Sequence, residues 1–132
     1  MPHIAMQLSG IRNPDVVRGV VHAVNALTES ILGKQPAVMS TTVQTVADED
    51  WFIAGRPLSE IGGSAFDLAI SITDETNTKA EKARYLREVH AAMARLLPGL
   101  HETSYIHLVD ARAAAYGYGG RTQEWRHQQA GV

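Results

Sequence analysis

The sequence predicts an α/β chain of the α+β kind: two βαβ repeats forming a four-stranded mixed sheet with two helices on one face. Three observations predict it. Four short stretches alternate or are rich in β-branched residues, two longer stretches carry a helical apolar stripe, and the order strand, helix, strand, Gly-Arg element recurs at an offset near 65 residues.

The first strand spans residues 3–8, where Ile4, Met6 and Leu8 alternate with His3, Ala5 and Gln7. Asn13 is suited to cap a helix and Pro14 to open it. Val17, Val20, Val21, Val24, Leu27 and Ile31 then form one apolar face. Gly33 ends that helix, with Lys34 beside it. Residues 38–46 are β-branched and read as a second strand.

The second half repeats the order. Phe66, Leu68, Ile70 and Ile72 alternate as a third strand. Thr78 and Glu81 form a capping-box pair. Leu86, Val89, Met93, Leu96 and Leu97 make the second helical stripe, and Pro98-Gly99 ends it. A fourth strand runs from Tyr105 to Val109. Trp51-Phe52-Ile53-Ala54-Gly55-Arg56 matches Tyr116-Gly117-Tyr118-Gly119-Gly120-Arg121, and the first strand of each half fits an offset of 66. The segment from Glu60 to Ser64 reads as the joint. The expectation is one domain over 1–132, with pseudo-repeats of about 2–61 and 66–125. One crossover helix per half implies parallel pairing within each half. The face without helices would be bare and would need a partner, so oligomerisation is expected.

Composition excludes several classes. At 132 residues, 45% hydrophobic and 20% charged, the chain is long enough to bury a core. The net charge of −2 gives no electrostatic case for nucleic acid or an anionic membrane. Cysteine is absent, so thiol catalysis, disulfides and thiolate metal sites are excluded. The start, Met1-Pro2-His3-Ile4, lacks a signal-peptide pattern, and no apolar run is long enough to span a membrane; the expected location is the cytoplasm. His22, His90, His101 and His127 lack ligand-like spacing, and Gly117 to Gly120 lack the dinucleotide-loop order.

A first strand opening Met-Pro, then helix, strand and aromatic-x-Ile/Tyr-small-Gly, resembles the tautomerase superfamily, whose members include 4-oxalocrotonate tautomerase and macrophage migration inhibitory factor. The resemblance covers nearly the whole chain and is to the fused, two-unit form. It implies removal of Met1, a free Pro2 amine acting as general base, and a homotrimer without cofactor. It places a substrate-binding Arg at Arg12 and an active-site aromatic at Trp51. Gly33-Lys34 resembles the Gly-Lys of the inhibitory-factor branch, whose Lys lines the proline pocket. Tyr105-Ile106-His107 followed by Asp110 resembles that branch's Tyr-Ile-Asn and Asp, with the Tyr again lining the pocket. Three features depart from the family. A second carboxylate-binding Arg of the single-unit enzymes falls at Ser40, the branch's Asn is His107, and the Arg residues of decarboxylase and dehalogenase members fall near Asp74 and Thr76.

These residue types suit keto–enol chemistry. The base must be unprotonated near neutral pH. A proline amine needs an apolar surround or a nearby cation to lose its proton there. Lys34 or Arg12 would hold a substrate carboxylate. Tyr105 would donate to the developing enolate oxygen. The implied activity is a cofactor-independent tautomerase for a small 2-keto or enol acid, with Trp51 and His107 also lining the substrate. The alternatives are a hydratase or decarboxylase using the same proline, or a non-catalytic trimeric binding module.

Overall fold

The computed structural model describes residues 2–130. The main strands are β1 (His3–Ser9), β2 (Ser40–Val46), β5 (Phe66–Thr73) and β6 (Tyr105–Ala111). The two long helices are α1 (Pro14–Leu32) and α3 (Lys79–Leu96). Each half ends in a two-stranded hairpin and a short helix. In the first half these are β3 (Phe52–Ile53), β4 (Arg56–Pro57) and α2 (Leu58–Ile61). In the second they are β7 (Gly117–Tyr118), β8 (Arg121–Thr122) and α4 (Gln123–Gln129).

The four-stranded sheet has the order β2-β1-β5-β6. β1–β2 and β5–β6 are parallel, and β1–β5 is antiparallel, so the sheet is mixed. Ile4, Met6 and Leu8 of β1 and Phe66, Leu68, Ile70 and Ile72 of β5 are buried under the helices. Val20, Val24 and Ile31 of α1 and Val89 and Met93 of α3 close the core from above. The other face carries His3, Ala5, Gln7, Thr42, Gln44, Asp67, Ala69, Tyr105 and His107, and it is open in the single chain.

The caps form where the sequence predicts them. Asn13 Oδ1 accepts from Asp15 N at 3.0 Å and Val16 N at 3.3 Å. Gly33 turns left-handed (φ 70°), and its N–H reaches Glu29 O at 3.0 Å. Thr78 and Glu81 exchange both capping-box bonds, at 3.1 and 2.8 Å.

Four readings are corrected. Residues 36–38 form a 3-10 turn opened by Pro36, so β2 starts at Ser40. Glu60 and Ile61 belong to α2, which narrows the joint. In α3, Leu86 and Leu96 sit at the rim, each 37% exposed, while Tyr85 lies in the core. Tyr85 can be buried because its hydroxyl donates to Thr28 Oγ1 at 2.8 Å, while Thr28 Oγ1 donates to Val24 O at 2.7 Å. Finally, the first strands are offset by 64 residues. Ser40 and Tyr105 open β2 and β6, and their neighbours are His3 and Asp67. A pattern of period two cannot distinguish 64 from 66, because both keep the same faces.

Candidate functional site

The sheet has two ends, and the candidate residues divide between them. Pro2 is buried immediately before β1. Its neighbour His3 pairs with Ser40 and Ser71, so Pro2 stands at the end where β5 and β6 finish. α1 also ends there, which brings Lys34 to the same end.

Lys34 is held by a local network. Its Nζ donates to Thr76 Oγ1 at 2.9 Å, and Thr76 Oγ1 donates to Thr73 O at 2.6 Å. Asn77 Nδ2 donates to Leu32 O at 3.0 Å, tying the last turn of α1 to the β5–α3 loop. That bond satisfies a carbonyl the helix end would otherwise leave without a partner. Lys34 is half-buried, and among the described residues it has no ion-pair partner. Burial holds its pKa below the usual lysine value, an effect the Glu81 carboxylate partly offsets. Glu81 itself is held below the usual carboxylate range, chiefly by the Thr78 backbone N–H.

Arg12, Trp51 and Tyr105 lie at the opposite end. Arg12 is exposed in the loop after β1, and half-buried Trp51 follows β2, its carbonyl accepting from Leu58 N at 2.9 Å. Tyr105 is 69% exposed and lies beside Asp67, whose partner on β1 is Gln7. By strand geometry, Tyr105 and Pro2 of one chain are roughly 16 Å apart along the strands and about 10 Å apart across them. One chain therefore does not unite the set that the resemblance implies. His107 lies between the ends, on the open face, in a row with Thr42, Ala5 and Ala69. Tyr105 and His107 share a shallow concavity of about 790 Å³ floored by Ala5 and Ala69.

Thr76 is legible from the sequence only as a position near which the resemblance expects an Arg, and Asn77 carries no signal beyond its place in the loop after a strand. Among the described residues, no group of three or more His, Cys, Asp or Glu is arranged to hold a metal. No helix of the described residues is long and apolar enough to cross a membrane.

The architecture is similar to that of solved fused 4-OT structures. A wild-type fused 4-OT in a symmetric trimer superposes with a TM-score of 0.77 at 17% identity, over 92% of this chain and 96% of that one. Native fused 4-OT gives 0.75 at 12% identity, over 93% and 97%. A macrophage migration inhibitory factor-like protein from Entamoeba histolytica gives 0.71 at 14%, over 92% and 97%. At these identities the likeness is one of fold. No family model matches the sequence, and no curated protein matches it.

Proposed function

We propose that this chain is a cofactor-independent keto–enol tautomerase for a small 2-keto or enol carboxylic acid, acting as one unit over residues 1–132. The observation that carries the reading is the pairing of two features at one sheet end. Pro2 is buried at the start of β1, and half-buried Lys34 has no ion-pair partner among the described residues. A half-buried cation at the same sheet end as a buried amine disfavours the amine's proton and offers a carboxylate a counter-ion.

In this reading Met1 is removed and Pro2 becomes a secondary amine. The amine nitrogen takes the enol hydroxyl proton and returns a proton to carbon as the C=C electron pair moves, leaving a C=O. Lys34 holds the carboxylate. A hydroxyl donor such as Tyr105 stabilises negative charge on the oxygen during transfer.

The division of residues between two ends supports an oligomeric site. Three copies with their open faces inward would bring Arg12, Trp51 and Tyr105 of a neighbour toward Pro2. The small floor of Ala5 and Ala69 allows close approach. Ile11 and Phe52, 96% and 59% exposed at the same end as Arg12, are apolar groups such a contact would cover. The trimeric fused 4-OT structures of the same fold are consistent with this assembly.

The test is ketonisation of phenylenolpyruvate or 2-hydroxymuconate by wild type and Pro2→Ala. Loss of the base should slow the reaction by about 10²–10⁴-fold. Equal rates would reject Pro2 as the base. A processed, assembled protein inert to both enols would favour a binding module.

A further inference from the structure

Tyr116 stands at the Pro2 end of the sheet, whereas Tyr105 of the same chain stands at the other end. The repeat accounts for this placement. Tyr116 is equivalent to Trp51, and the carbonyl of each accepts an N–H from the first residue of the short helix that follows. Leu58 N lies 2.9 Å from Trp51 O, and Gln123 N lies 2.9 Å from Tyr116 O. Because β1 and β5 are antiparallel, the two halves run in opposite directions and equivalent residues fall at opposite ends. The segment after β2 carries Trp51 away from Pro2, and the segment after β6 carries Tyr116 toward it.

The strand register says how near. His3 pairs with Ser71, so one residue further back Pro2 lies beside Ile72, and Thr73 comes next on the side of the Pro2 nitrogen. By strand geometry the Cα positions of Pro2 and Thr73 are about 6 Å apart. Thr73 Oγ1 and the Tyr116 hydroxyl are hydrogen-bonded at 2.7 Å. The carbonyl of the same threonine accepts from Thr76 Oγ1 at 2.6 Å, and Thr76 Oγ1 accepts from Lys34 Nζ at 2.9 Å. Thr73 therefore tethers a phenol through its side chain and an ammonium through its backbone, one strand away from the proline. Thr73 and Tyr116 are both half-buried, so the pair is neither sealed in the core nor loose in solvent.

An enolised 2-keto acid carries its carboxylate on one carbon and its enol oxygen on the next. A cation and a hydroxyl donor tethered to one residue match those two neighbouring groups. We propose that Tyr116 is a further catalytic residue of the Pro2 site, its hydroxyl donating to the substrate's enol oxygen while Lys34 holds the carboxylate. Thr73 is a positioning residue: its Oγ1 donates to the phenol oxygen, which directs the phenol proton onward to the substrate. The bond stabilises the negative charge that develops on that oxygen as Pro2 moves the proton, and the phenol keeps its own proton throughout. The inference rests on the tautomerase reading. It assigns this donor to the chain that carries Pro2, whereas Tyr105 reaches the site only from a neighbour.

The experiment measures phenylenolpyruvate ketonisation, per folded molecule, by wild type, Pro2→Ala, Tyr116→Phe and Thr73→Val. Tyr116→Phe should lose about 10²-fold in kcat while KM changes by less than about threefold. Thr73→Val keeps the phenol and removes only its partner, so it should lose less than about tenfold. Pro2→Ala and Tyr116→Phe chains assembled together should be no more active than the separate variants, because no chain then carries both groups. The proposal is overturned if Tyr116→Phe keeps a kcat within about threefold of wild type. It is also overturned if Thr73→Val loses as much as Tyr116→Phe, or if the mixed assembly regains activity. In those three cases a slow Pro2→Ala still upholds the tautomerase reading. A Pro2→Ala as fast as wild type would remove that reading and this inference together.

Discussion

Phe66 holds in the second half the position that Pro2 holds in the first. His3 lies beside Ser40 as Asp67 lies beside Tyr105, and the preceding residues are Pro2 and Phe66. Phe66 is fully buried, and its N–H donates to Ser104 Oγ at 3.2 Å. Equivalent sheet positions thus hold a buried proline in the first half and a core aromatic in the second. Phe66→Ala should cost about 3–5 kcal/mol of stability while leaving the rate per folded molecule nearly unchanged. Urea unfolding and kcat measured on the folded fraction check this together.

The Thr28–Tyr85 pair predicts an asymmetry. Tyr85→Phe removes a donor but leaves Thr28 bonded to Val24 O, so it should cost about 1 kcal/mol. Thr28→Val removes the acceptor and strands a buried phenol, which should cost more, about 1–3 kcal/mol. Burial also pushes the Tyr85 pKa up to about 12. Because the folded-state value is raised for an acid, the unfolded chain ionises first, and stability should fall as pH rises past 10. Spectrophotometric titration and denaturation of both variants test this, and a larger loss in Tyr85→Phe would contradict it.

Lys34 predicts a dependence of the other sign. Its folded-state pKa is lowered, chiefly by burial. Below that value both states are protonated, and the folded state bears the burial penalty. Between it and the ordinary lysine value of 10.5 the unfolded chain binds more protons, so this contribution to stability improves as pH rises. Lys34→Met keeps much of the stem and removes the charge. The stability difference between Lys34→Met and wild type should therefore shift in favour of wild type as pH climbs toward 10.5. Under the functional proposal the same variant raises KM for an enol acid more than it lowers kcat.

The distance between Pro2 and Tyr105 in one chain predicts complementation between chains. Pro2→Ala and Tyr105→Phe should each be impaired when assembled alone. Co-assembled, they should regain activity, because about one site in four would combine an intact Pro2 with a neighbour's intact Tyr105. Activity of the mixture no greater than that of the separate variants would show that the two residues do not share a site across the interface.

The elements were legible because local signals agreed with tertiary needs. Asn13, Pro14, Gly33 and the Thr78–Glu81 pair fix helix ends through bonds within a few residues. The alternation in β1 and β5 names the buried face without knowledge of the partner strand. The site was less legible. Arg12, Trp51 and Tyr105 have informative types, but which end of a sheet they occupy depends on strand order and direction, which no local pattern carries. Thr76 and Asn77 act through contacts more than 40 residues away in sequence, 42 and 45 respectively. Tyr85 was masked by its hydroxyl, which only the distant Thr28 makes tolerable in the core.

The most direct test of the central claim is the protonation of Pro2 itself. In protein labelled with 15N-proline, the Pro2 nitrogen should titrate as a secondary amine, with a pKa below that of an unperturbed proline terminus because of burial and the Lys34 cation. A Pro2 nitrogen that shows no titration, as an amide would, or that titrates at or above the ordinary value, would contradict the account.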